Sequence, residues 1–193
     1  MTHPCYHFTY IQDGNLGPST AVTAMSSTTS YTAIDYLLDK ANIHDTVTKG
    51  MLYIDLLRWD DLEKEVFTDN IRVDYTSLFG GKVMDVKSTD QIEAWKGLFK
   101  RVENSQHTST SLLIDLPPPG SVPPPNKVQI YANYLVTLVP KDDEQKLVQN
   151  GGHYIIDVSR ITPSDGGNPW RTSSIKADVI YFASDKDFCD HEN

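Results

Sequence analysis

The chain has 193 residues, 39% of them hydrophobic and 22% charged, which suits one globular domain able to bury a sizeable core. Its net charge of -9 repels phosphate backbones and anionic bilayers, and no Lys/Arg cluster overrides that field, so nucleic-acid and membrane partners are excluded. No apolar run reaches the ~18 residues of a spanning helix, the polar start Met1-Thr2-His3-Pro4 lacks a signal-peptide pattern, and a soluble, cytoplasmic protein is expected.

Residues 1–30 read as an extended arm or linker: Gly14 to Ser30 is rich in Gly, Ser and Thr and has no sustained period, although the head Tyr6-His7-Phe8-Thr9-Tyr10 is apolar enough to dock. A domain is expected over 31–182. Ile34, Leu37, Leu38 and Ala41 keep helical spacing, and Asn42 with Asp45 has the form of an N-cap and its partner, which predicts two short successive helices. In the second, Ile43, Val47, Met51 and Ile54 form one stripe and Asp55 lies on the adjacent one. A third helix is expected over Trp59 to Phe67.

Ile71 to Leu78 alternates as a strand, with Ile71, Val73, Tyr75 and Ser77 on one face. Ser88-Thr89-Asp90-Gln91 has the capping-box pattern and opens a helix carrying Ile92, Trp95, Leu98 and Phe99. Four β-rich runs follow, Thr108 to Leu116, Lys127 to Val139, Gly151 to Ile161 and Trp170 to Phe182. The run Pro117 to Pro125 cannot donate ladder hydrogen bonds and should be a stiff loop between strands; an SH3- or WW-type partner is the alternative use of such a segment. The acidic tail 183–193 is expected to fray. Helices first and a long antiparallel sheet afterwards argue an α+β fold.

The residues with chemistry to offer are few. Cys5 and Cys189 stand near opposite ends without a CxxC, so neither a zinc site nor a disulfide framework is indicated, and no P-loop, GxGxxG, HExxH or nucleophile elbow is present. No metal or organic cofactor is expected. Asp55, beside an apolar stripe, either has a raised pKa suited to proton transfer or is tied to a cap or to Arg58. His107 is able to take or give a proton near neutral pH, and Gln106, Thr108 and Ser109 are at hand to hydrogen-bond its ring. Tyr75 either polarises a substrate oxygen or is a tethered core phenol. Asp157 alternates with Ile156 and Val158; if its face is the inner one, His153, Ile155, Asp157 and Ser159 line a pocket, and otherwise it pairs at the surface. Tyr53, Tyr131, Asn133 and Tyr134 are further candidates that periodicity does not sort.

Trp59-Asp60-Asp61-Leu62, Arg72-Val73-Asp74-Tyr75-Thr76-Ser77 and Gln106-His107, in this order of elements, resemble the SnoaL-like branch of the cone-shaped fold shared with nuclear transport factors, and within it the scytalone dehydratase-like family. The resemblance runs from about Tyr31 to Phe182. It implies N-terminal helices packed on a strongly curved, mixed and mainly antiparallel sheet that forms a cone with an internal pocket. It places Asp55 at the family's pocket aspartate, Tyr75 at a substrate-contacting tyrosine and His107 at a catalytic histidine, in a cavity walled by Trp95, Phe99, Leu113 and Leu138. Where the family has a tyrosine before the aspartate this chain has Ile54; its second histidine falls at Leu138, and its strand serine and asparagine at Ile155 and Asp157.

The expected function is therefore a cofactor-independent dehydratase, isomerase or cyclase acting on a polyketide- or terpenoid-derived intermediate, of a fungal secondary-metabolism type, in a homo-oligomer (dimer or trimer). Templated pericyclic cyclisation of the Diels–Alder kind, and a non-catalytic ligand-binding or interaction module, are the alternatives.

Overall fold

The computed structural model of the protein describes residues 30–142, 145–163 and 166–183. The expected arm, Ser30 apart, and the expected tail, Ala183 apart, lie outside the described residues. The elements run α1 (Ala33–Asp55), α2 (Trp59–Glu65), β1 (Phe67–Asp74), α3 (Thr76–Phe79), β2 (Met84–Lys87), α4 (Ser88–Phe99), β3 (Val102–Ile114), β4 (Lys127–Pro140), β5 (Val148–Arg160) and β6 (Trp170–Phe182). The strands make one mixed, curved and unclosed sheet in the order β2-β1-β6-β5-β4-β3, in which only β1 and β6 run parallel. The α+β class follows. Among the described residues no helix is long and apolar enough to cross a membrane.

The first helix is continuous where two were expected. It starts at a capping box at Thr32, well before the expected cap at Asn42, in which the Thr32 hydroxyl accepts from the Asp35 N–H and Asp35 accepts from the Thr32 N–H. Asn42 stays helical, its carbonyl accepting from both Thr46 and Asn168. The buried face is Asp39, Ile43, Thr46, Val47, Gly50 and Met51, so Ile34, Leu37 and Leu38 point outward instead of into the core. What goes inward in the first two turns of α1 is a carboxylate. Asp39 accepts from the Tyr31 hydroxyl and the Trp170 indole, each at 2.9 Å, and pairs with Arg160, whose guanidinium lies 4.5 Å from the centre of the Trp170 ring. A buried charge persists only when partners replace its water, and here three do. The Pro-rich loop is tied to the same corner, through Gly120 N–H to Tyr31 O and Tyr31 N–H to Ser121 O.

Other boundaries also move. β1 begins at Phe67 and ends at Asp74, so Tyr75 is not a strand residue: it caps α3, a single turn opened where Asp74 accepts from the Thr76 N–H and hydroxyl. Ser88 is already inside α4 and makes no capping bond; both Ser88 and Gln91 are buried, and Lys87 is the N-cap. The four long β runs stand as four long strands.

The sheet bends at irregular pairings. Register shifts interrupt β3 between Thr110 and Leu113, where Ser111 has φ +55°, and β5–β6 at Gly151/Gly152. At Gly152 a Cβ would stand 2.0 Å from the Asp178 carbonyl oxygen, so the strands approach there to a distance that only glycine permits. Gly152→Ala should therefore lower stability by at least the roughly 1–3 kcal/mol of an overpacked core site, because the obstacle is backbone and cannot rotate away. Urea unfolding of the two proteins checks this, and an unchanged midpoint would show that the bend tolerates a side chain.

Candidate active site

α1, α3 and α4 cover the concave face of the sheet and leave a cavity between them. Its apolar wall is Ile54, Phe79, Trp95, Leu98, Phe99, Val136, Leu138 and Ile156 with their neighbours; its polar lining includes His107, Tyr75, Tyr134, Tyr154 and Asn150, with Thr46 and Thr172. It offers about 100 Å³ to the centre of a water molecule, below the ~300–1,000 Å³ of pockets for drug-sized ligands, because aromatic rings fill much of the space.

At one side of this cavity the last residue of α1 meets β3. Asp55 Oδ1 accepts from the Ser105 hydroxyl at 2.7 Å and lies 2.6 Å from His107 Nδ1, while Oδ2 accepts from the His107 backbone N–H at 2.7 Å. The two side chains are only 11% and 12% exposed. A carboxylate at a helix C-terminus faces the negative end of the helix dipole, and α1 has no basic residue in its last turn, so the position is unfavourable until β3 supplies donors. Burial works to raise the Asp55 pKa, but the bonds from His107 and Ser105 outweigh it and hold the carboxyl below its ordinary range. The expected desolvation is thus present, and the compensating donors reverse its effect. An ionised carboxylate only accepts, so Nδ1 carries a proton, and in the neutral imidazole the lone pair is on Nε2.

The phenols sit deeper. Burial pushes Tyr75, Tyr134 and Tyr154 above the usual tyrosine range, which keeps them neutral donors. Tyr134 and Tyr154 stack with ring centres 4.0 Å apart, and Tyr75 meets Phe79 edge-on.

Of the residues expected at the site, His107, Tyr75, Trp95, Phe99 and Leu138 line the cavity, and Asp55 stands behind His107. The others do not reach it. The bulge at Ser111 reverses the in/out parity of β3, so Leu112 and Ile114 turn inward and Leu113 is 65% exposed. Tyr131 is on the outer face of β4 and donates to Gln129. On β5 the inner face carries Asn150, Gly152, Tyr154, Ile156 and Val158, so Ile155 and Asp157 face outward; Asp157 pairs with Lys127 at 3.0 Å and accepts from Gln129. Tyr53 is buried against α2, donating to Glu65 under the Arg58 guanidinium. Ser105, Asn150 and Tyr154 are cavity or dyad residues that the sequence reading passed over. The alternation Val148, Asn150, Gly152, Tyr154, Ile156 and Val158 carries the signal for two of them: the expected strand begins at Gly151 and so leaves out Asn150, and the pocket face considered on it is that of Asp157, opposite to Tyr154. Among the described residues no group of three or more His, Cys, Asp or Glu side chains is placed to hold a metal ion.

A family profile described as the SnoaL-like domain matches residues 35–176, which is most of the chain. The chain belongs to the SnoaL-like domain family. Solved structures share the fold: the Kfla4162 protein of Kribbella flavida is 21% identical with a TM-score of 0.69, over 80% of this chain and 98% of that one. A protein described as a putative scytalone dehydratase from Novosphingobium aromaticivorans is 11% identical with a TM-score of 0.62, over 77% and 88%. The LinA-type3 hexachlorocyclohexane dehydrochlorinase of Novosphingobium barchaimii is 15% identical with a TM-score of 0.59, over 78% and 92%. No curated protein matches the chain significantly. At these identities the structural likeness establishes the fold alone.

The lowered Asp55 pKa has a sign that can be tested. A carboxyl depressed in the folded state contributes stability that is full above its unfolded pKa of ~3.9 and is lost as pH falls through the folded value. Asp55→Asn should cost roughly 1.5–3 kcal/mol at pH 7, the scale of hydrogen bonds to a charged group, and the gap should narrow at pH 3. Urea unfolding of both proteins at the two pH values measures it; an equal gap at both would mean that ionisation of Asp55 is not what holds His107.

Proposed function

We propose that the protein is a cofactor-independent lyase or isomerase that moves protons on a compact, mostly apolar ring ketone of polyketide or terpenoid origin. The observation that carries this reading is the fixed imidazole: Asp55 holds His107 through both Nδ1 and the backbone N–H and leaves Nε2 for a mostly apolar cavity.

In the proposed step Nε2 takes a proton from a carbon next to the substrate carbonyl, and the electron pair moves toward the carbonyl oxygen, where the neutral Tyr75 hydroxyl donates a hydrogen bond. Collapse of the enolate expels a β-hydroxyl as the C–O bond breaks, and the imidazolium returns its proton to that oxygen, releasing water. Where the ketone has a β,γ double bond in place of a leaving group, the enolate is conjugated with it, and return of the proton to the γ carbon gives the α,β-unsaturated isomer. Asp55 stabilises the transient imidazolium and stays ionised, in keeping with its lowered pKa. Exclusion of water by the aromatic wall strengthens each of these interactions.

Templated cyclisation is the second reading, favoured by the small apolar cavity and by Leu138 where the resembled family has a second histidine. The test is a panel of hydroxylated ring ketones in D₂O, followed by NMR for water loss and for deuterium entering beside the carbonyl. With proton transfer, His107→Ala and Asp55→Asn each slow turnover by about 10²–10⁴-fold, and the double variant loses less than the product of the two. With templating, both variants stay within a few-fold of the parent while Phe99→Ala or Leu138→Ala damages rate and selectivity more. Unimpaired turnover in the His107 and Asp55 variants overturns the acid/base reading, and thermal midpoints exclude misfolding as the cause of any loss.

A further inference from the structure

Three buried polar atoms have no hydrogen-bond partner among the described residues: Asn150 Oδ1, the Tyr134 hydroxyl and Ser109 Oγ. Native interiors leave few such groups, since each costs its full desolvation, and each calls for an explanation. These three are not scattered. Register places Ser109 opposite Tyr134 and Tyr134 opposite Gly152 in one row across the sheet; His107, Val136 and Asn150 form the next row on the same inner face. Asn150 is 3% exposed, Tyr134 is 6% exposed, and both line the cavity that His107 enters. Gly152 carries no side chain opposite Tyr134, and Tyr134 is held by its stack on Tyr154, so its hydroxyl has a defined place.

We propose that Asn150 Oδ1 and the Tyr134 hydroxyl form a subsite for a substrate hydroxyl, set across the sheet from His107. An amide oxygen only accepts, whereas a neutral phenol has a proton to give, so the group that satisfies both must donate to one and accept from the other. Water does so in the free protein, and a hydroxyl is the smallest group of a ligand that takes its place with both bonds kept. A carbonyl or ether satisfies Tyr134 alone, and a purely apolar ligand leaves both atoms unpaired. The inference builds on the reading of this cavity as the active site and makes its substrate a hydroxylated ring, with the hydroxyl anchored on β4 and β5 and the reacting carbon presented to β3. A site built this way rejects the analogue lacking the hydroxyl because its own polar atoms stay unpaired.

Phenol, anisole and toluene serve as probes, because they share a ring and the substituent offers a donor and acceptor, an acceptor alone, or neither. Binding is followed by NMR titration of the full chain. The expected order is phenol, then anisole, then toluene, with phenol at least about tenfold tighter than toluene. Tyr134→Phe should remove the advantage of anisole over toluene. Asn150→Leu should bring phenol down to anisole's level. Toluene affinity should hold in both variants. Because each substitution deletes an unpaired polar atom, thermal midpoints should stay equal or rise. In His107→Ala the preference for phenol should persist, which separates this subsite from the proton chemistry: loss of turnover there with retained preference keeps both readings, and retained turnover sinks only the acid/base reading. Equal affinity for the three probes, or a midpoint that falls in both Tyr134→Phe and Asn150→Leu, overturns the subsite, since the atoms would then be serving the fold.

Discussion

The Asp55 carboxylate is where the fold and the candidate chemistry meet. It ends a helix of 23 residues, at the terminus where a negative charge is least welcome, and it accepts three hydrogen bonds from one strand, one from Ser105 and two from His107. Those bonds pin the end of α1 to β3, an edge strand of the sheet, beside the cavity that His107 lines. The same bonds fix the tautomer of His107. Removing either partner leaves a buried polar group without its complement, so the geometry of the base and the docking of the helix are not separable properties.

A second carboxylate does comparable work at the other end of the same helix. Asp39 gathers Tyr31, Trp170 and Arg160, joining the start of α1 to the ends of β5 and β6 and, through Tyr31, to the Pro-rich loop. Between these two anchors the helix presents Ile43, Val47, Gly50 and Met51 to the core. The helix is thus clamped by polar contacts at its ends and by apolar burial in its middle, which is why its exposed leucines near the N-terminus have no part in the core.

The cavity's character follows from sheet parity. Curvature brings alternate residues of β3, β4, β5 and β6 together on the concave face, and the bulge at Ser111 and the close approach at Gly152 decide which ones. Most of those positions are apolar. Among the exceptions, His107, Tyr134, Tyr154 and Asn150 fall in neighbouring rows and line the same cavity. Family membership and shared fold bring a pocket; the placement of these side chains argues for what the pocket does.

Composition and periodicity by themselves determined the α+β class, the four long strands to within a few residues of their ends in most cases, the apolar stripe Ile43, Val47 and Met51, and the absence of recognisable phosphate or metal motifs. These are local properties, set by alternation, spacing and residue type within one segment. The Trp59, Tyr75 and His107 motifs carried the family, and with it the expectation that Asp55, Tyr75 and His107 share a site. Only the tertiary structure decided the rest. That α1 runs through Asn42 depends on Asp39 finding partners far along the chain; that Leu113, Tyr131, Ile155 and Asp157 turn outward depends on one bulged residue and on which sheet face the helices cover. That Asp55 is held ionised depends on donors about fifty residues away. A strand pattern states that two faces differ but not which is inside, and a carboxylate's pKa belongs to its neighbours in space, which no single segment of sequence contains.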